Sequence, residues 1–138
     1  MVDPITPRDR ILWTNLLAHE IFHHWNGGFI VPRDDEKTSW FTEGVTEYMA
    51  NRTISRTGLI SRNLFLKKLE VHVAMYDYCM WAPPFQKSTI QNAVQDAGGD
   101  KDVNRPGIYS GGVVASFCLD TMIQKEISGQ KLSKTFGG

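Results

Sequence analysis

The sequence predicts a mostly α-helical domain, and three observations carry that prediction. Threonine and serine stand just ahead of helix-compatible runs, where N-caps belong. Glycines follow the same runs, where helices stop. No stretch shows the apolar–polar alternation with hairpin turns that half-buried strands require.

Taken in order, Thr6-Pro7 reads as an N-cap followed by proline in the first turn, opening a helix that runs to about Trp25 and ends at Gly27-Gly28. A connector follows from Phe29 to Thr38, with Pro32 and the acidic run Asp34-Asp35-Glu36. That run reads as a solvated turn, because it lacks the ligand spacing of a calcium loop. Ser39 caps a second helix from about Trp40 to Thr57, and Gly58 falls at the C′ position. Ser61 caps a third, with Leu64, Leu69, Val73 and Tyr76 among its apolar positions. The aromatic-rich segment from Asp77 to Phe85 is broken by Pro83-Pro84, and its Tyr78, Trp81 and Phe85, with Tyr76, read as a loop core. A short helix starts at Ser88 or Thr89, a polar loop spans Gly98 to Gly107, and a last helix runs from about Tyr109 to Ile127, stopped by Gly129. There is no internal repeat and no low-complexity tract.

At 138 residues the chain can bury a core without disulfide staples. Fifteen basic residues balance fifteen acidic ones, which leaves no electrostatic basis for binding nucleic acid or an anionic membrane. No apolar run approaches the length of a membrane span. Cys79 and Cys118 are too few for a disulfide framework and lack metal-ligand spacing, so they read as free thiols.

The first helix carries His19-Glu20-Ile21-Phe22-His23, the pattern H-E-x-x-H. Four residues along an α-helix advance roughly 6 Å and return to within about 40° of the starting direction. Both imidazoles can therefore reach one metal ion, and Glu20 projects to one side, where it can take a proton from a water. A tetrahedral catalytic zinc with an open position needs one more protein ligand. Glu43, on the next predicted helix, is the candidate, because a helix, a turn and an antiparallel return bring it back to the first.

H-E-x-x-H, then nineteen residues, then a glutamate within E-G-x-x-E-Y resembles the gluzincin metallopeptidases, which include thermolysin and the aminopeptidase N family. The fuller strings HEIFHHWNGGFIVP and WFTEGVTEY resemble the glycyl aminopeptidase family more closely. A third match lies downstream, in Tyr109-Ser110-Gly111-Gly112 with Leu119-Asp120 further along its helix. The resemblance covers roughly residues 15 to 127. It implies a helical zinc-peptidase catalytic subdomain of the thermolysin-like type that hydrolyses a peptide substrate and holds one zinc ion per chain. His19, His23 and Glu43 are the implied ligands and Glu20 the implied general base. Tyr109 is the implied donor to the oxyanion, and Glu47 is placed to accept the other ring N–H of His19. One departure is Ser110-Gly111, which stands where aminopeptidases commonly have a lysine-containing form. The resemblance also implies an upstream β-rich lobe and a downstream domain, so the chain reads as an excised piece of a longer protein with an apolar face left exposed.

Other residues carry plainer readings. His24 points about 100° away from His23 and is no ligand. His72 has no partner in the sequence and reads as structural, while Trp25 and Asn26 read as packing and capping the end of their helix. Asn51-Arg52-Thr53 has the form of a glycosylation sequon, but its helical setting argues against use. Two rival functions fit the same chain: a non-catalytic binding domain on a peptidase-like fold, and a different zinc hydrolase such as an epoxide hydrolase.

Overall fold

Helix α1 (Pro7–His23) starts at a capping box. The Thr6 hydroxyl accepts from the Asp9 N–H, the Asp9 carboxylate accepts from the Thr6 N–H, and proline occupies the first turn. The computed structural model describes residues 6–33, 35–82, 89–93 and 104–136. After His24 the chain turns sharply through Gly27, whose φ of 115° suits glycine, and Gly27 N–H closes the turn on the Ile30 carbonyl.

The second helix begins earlier than its serine predicts. Helix α2 (Asp35–Ser39) runs without a break into a π-helical turn, Trp40–Val45, and on into α3 (Thr46–Arg56). Ser39 has helical φ and ψ and makes no cap, so the expected start at Trp40 is corrected. Nothing between residues 35 and 40 can stop a helix, and acidic residues favour a first turn through the helix dipole. Asp35 and Glu36, read from sequence as a turn, are thus helical, and Asp34 lies outside the described residues. Gly58, with φ of 79°, ends α3 as expected.

Helix α4 (Arg62–Trp81) starts at Ser61, whose hydroxyl accepts from the Leu64 N–H. It continues through Tyr78 and Trp81, five residues into the stretch expected to be a loop. No proline or glycine interrupts it before Pro83, and Ala82 takes the extended conformation that a following proline imposes. Pro83 to Ser88 lie outside the described residues; Thr89 caps a 3₁₀ turn, Ile90–Asn92. Residues 98–103 of the expected polar loop also fall outside them. A second π-helical turn, Pro106–Ser110, leads into α5 (Gly111–Phe136), which passes straight through Gly129. A single exposed helical glycine costs only about 1 kcal/mol against alanine, too little to end a helix.

The mostly α-helical class is therefore what the chain adopts, with no strand among the described residues. Tyr48, Leu69 and Val113 join α3, α4 and α5 in one buried cluster, flanked by Met49 and Phe65. The Tyr48 hydroxyl donates to Asp120 at 2.7 Å, and Arg52 pairs with the same carboxylate, which closes α3 onto α5. On α1, by contrast, Leu12, Trp13, Leu17 and Ile21 are exposed. No described helix is long and apolar enough to cross a membrane.

Candidate metal centre

Helices α1 and α3 pack antiparallel, so residues pair in descending order: His23 and His19 with Glu43, then His19 and Asn15 with Glu47. His19 Nε2 and His23 Nε2 each lie 3.4 Å from Glu43 Oε2, and 2.9 Å from one another. His19 is 8% exposed and Glu43 7%. The three ligand atoms fall within 4.8 Å of one another. A zinc ion bound by nitrogen and oxygen at about 2.0–2.1 Å in a tetrahedron would hold its ligand atoms roughly 3.3 Å apart. The donor set and its spacing fit one such ion.

Tautomers, assigned from partners, sharpen this. His19 Nδ1 lies 2.9 Å from Glu47 Oε2, so it carries the proton; His23 Nδ1 donates to the Asn26 carbonyl at 3.2 Å. With both rings neutral, as ligation of a cation requires, both Nε2 atoms point lone pairs at a carboxylate oxygen. Three electron-rich atoms facing one another call for a cation between them. Without a cation there, a second proton on His19 takes its place: burial works against a charged His19, yet hydrogen bonds to Glu43 and Glu47 outweigh burial and push its pKa up to about 9. For Glu47, burial raises the pKa, but hydrogen bonds from His19, Asn51 and Asn15 overcome it and hold the group at about 2.

Glu43 sits in the first π-helical turn, which two contacts fix. Asn26, 1% exposed, donates through its amide to the Phe41 and Thr42 carbonyls and to the Thr46 hydroxyl. Its side chain thus clamps the glutamate-bearing turn, while its backbone N–H caps α1 as expected, donating to the Phe22 carbonyl at 2.8 Å. Trp25 is largely exposed, against a half-buried Phe22. Gly44 meets Gly112 of α5 with no room for a side chain.

Beside the cluster lies a cavity of about 440 Å³ reached by His19, Glu20, Glu47, His72, Arg105 and Tyr109. Glu20 is exposed to it. The Tyr109 ring stacks at 6.3 Å from the His19 ring, and the Arg105 guanidinium covers Tyr109 at 4.2 Å. His24 is exposed and points elsewhere, on the far side of Glu20 with Leu17, Ile21 and Trp25.

Residues 13–112 match the family model of the M61 glycyl aminopeptidases. The chain belongs to that family. The matched span of this glycyl aminopeptidase family member runs from α1 to the start of α5 and contains His19, Glu20, His23, Glu43, Glu47 and Tyr109. Membership makes it a peptidase relative whose three-residue cluster can hold a metal. No curated protein and no solved structure matches the chain.

Several contributors escaped the sequence reading. Asn15 and Asn51 both donate to Glu47 Oε1, at 3.2 and 2.7 Å, and Lys68 donates to Asn15 at 3.1 Å. The helical spacings Asn15–His19 and Glu47–Asn51, each i to i+4, were the available signal. Asn51 is 4% exposed, which closes the sequon to modification in the folded chain. His72, expected to be merely structural, meets the Ser110 hydroxyl at 3.1 Å, and burial lowers its pKa.

Proposed function

We propose that this family member is a zinc-dependent aminopeptidase of the gluzincin type, in which His19, His23 and Glu43 hold one zinc ion. The observation that carries the reading is the convergence of His19 Nε2, His23 Nε2 and Glu43 Oε2 beside a cavity shared by Glu20 and Tyr109. When bound, the ion polarises the peptide carbonyl and lowers the pKa of a water toward neutrality.

The chain's own residues do the rest. Glu20 takes the proton of the attacking water and hands it to the leaving amine. The Tyr109 hydroxyl donates a hydrogen bond to the oxyanion of the tetrahedral intermediate. Glu47 accepts the His19 Nδ1–H, and the Asn26 carbonyl accepts that of His23, so each ring presents a lone pair on Nε2. Two asparagines, half-buried Asn15 and buried Asn51, hold Glu47 in turn.

The test is hydrolysis of alanyl and glycyl amides with free and with acetylated amino termini. Cleavage of the free-amine substrates should stop with a chelator, return with added zinc, and be absent on the acetylated ones. Chelator-insensitive cleavage would defeat the metal reading, and equal cleavage of blocked substrates would defeat the aminopeptidase reading.

A further inference from the structure

Tyr109 lies in a π-helical turn, Pro106–Ser110, a rare local geometry that occurs frequently at functional sites. This one is tied at both ends. At its start, Asn104 Oδ1 accepts from the Gly107 N–H at 3.2 Å and from the Cys79 thiol at 3.4 Å. The Asn104 amide donates to the Ala93 carbonyl at 2.9 Å. At its end, immediately after Tyr109, the Ser110 hydroxyl meets His72 Nδ1 of α4 at 3.1 Å. Ser110 is 6% exposed, so its hydroxyl has little access to water as a substitute partner. One helical turn beyond His72, Tyr76 presses on Gly111, where an added Cβ would stand 3.0 Å from its ring. Helix α4 therefore grips the turn through His72 and Tyr76 in register.

The His72 ring reaches both sides of the site. Its Nε2 stands 4.0 Å from Glu47 Oε1, on the carboxylate that holds His19, and its Nδ1 faces Ser110. A ring proton on Nε2, on the side of the Glu47 carboxylate though beyond hydrogen-bond reach of it, would leave Nδ1 to accept the Ser110 O–H. Both residues line the cavity with His19, Glu20 and Tyr109.

We infer that His72 and Ser110 are a positioning pair that sets the Tyr109 hydroxyl against the ligand cluster. The inference rests on Tyr109 being the oxyanion donor. Neither residue touches the reacting atoms; they act through the turn. Misplacing a catalytic group by about 1 Å can cost on the order of 100-fold in rate, and that bounds the effect.

The experiment is a double-mutant cycle on the full chain, with kcat, KM and metal content measured for Ser110→Ala, Tyr109→Phe and the pair. Ser110→Ala should lower kcat by roughly 10-fold, within that bound, with KM and metal content unchanged. In the Tyr109→Phe background the same change should cost nothing more. His72→Phe, which keeps the ring shape and loses the acceptor, should behave as Ser110→Ala does and add nothing to it. Undiminished kcat, a loss confined to KM, lost metal, or equal losses in both backgrounds would each overturn the positioning role. If Tyr109→Phe slows turnover while Ser110→Ala adds independently, only the positioning idea fails. If Tyr109→Phe is as fast as wild type, the oxyanion reading fails and this inference with it.

Discussion

Gly44 and Gly112 meet backbone to backbone: a Cβ on Gly44 would stand 2.3 Å from the Gly112 Cα, and one on Gly112 would stand 2.2 Å from the Trp40 carbonyl oxygen. Neither neighbour is a side chain that can swing aside. The contact lets the turn carrying Glu43 and the helix that follows Tyr109 approach more closely than any side chain allows. Gly44→Ala and Gly112→Ala are each expected to destabilise the chain by about 3 kcal/mol, the top of the usual overpacking range. Gly129 is the control, because nothing lies within 4 Å of its added Cβ. Gly129→Ala should stabilise by roughly 0.5–1 kcal/mol. Urea unfolding of the three variants checks this, and a neutral Gly112→Ala would mean that the two backbones part freely.

That contact also shows what the sequence could and could not reveal. E-G and Y-S-G-G were visible as strings, but nothing in either says that their glycines touch. The convergence of His19, His23 and Glu43 was legible because H-E-x-x-H is complete within one helical turn, and the antiparallel return needs only a short connector. The capped starts at Thr6 and Ser61 were legible for the same local reason. The π turns were not, since one extra residue per turn leaves no period to read. Asn26 and His72 make their contacts across sequence separations of 15 to 38 residues, which only packing determines. The serine at position 39 misled because capping ability counts only where a helix actually begins.

One zinc per chain is expected in protein purified without added metal. His23→Ala removes one of three ligand atoms and leaves two, below the three protein ligands of catalytic zinc sites. Its bound zinc should fall to background while the helical circular dichroism is kept. Metal analysis of the two proteins decides it, and equal zinc in both would remove His23 from the site.

The metal-free protein should show a stability plateau between about pH 4.5 and 6.5. The Glu47 pKa falls from 4.5 to about 2 on folding, so its contribution is present above 4.5 and is lost as pH drops toward 2. The His19 pKa rises from 6.5 to about 9, so its contribution is full below 6.5 and is lost as pH climbs through 9. Thermal melts in a chelator across this range should give Tm falling on both sides. Glu47→Gln removes the group that titrates in the acid limb, which should flatten, and one of the two carboxylates that raise His19, so the alkaline limb should shrink while Glu43 keeps part of it. A Tm profile unchanged by Glu47→Gln would show that the pair is not coupled to folding.

Glu20→Gln separates chemistry from metal binding. Glu20 neighbours His19 in sequence, yet it is exposed to the cavity while His19 is buried, and it lies outside the His19–His23–Glu43 cluster. Glutamine keeps its size and cannot take a proton. Zinc content and Tm should therefore match wild type, since no ligand and no buried contact is lost. Hydrolysis should fall by about 10²–10⁴-fold, the usual contribution of a positioned general base. The loss should appear in kcat, because the proton moves only in the transition state. Zinc content and kcat are measured on the same preparation, so that lost metal cannot be mistaken for lost chemistry. A Glu20→Gln protein that holds zinc and turns over at the wild-type rate would show that another group accepts the proton, and Glu47 and His72, which line the cavity with His19, would be the next to test.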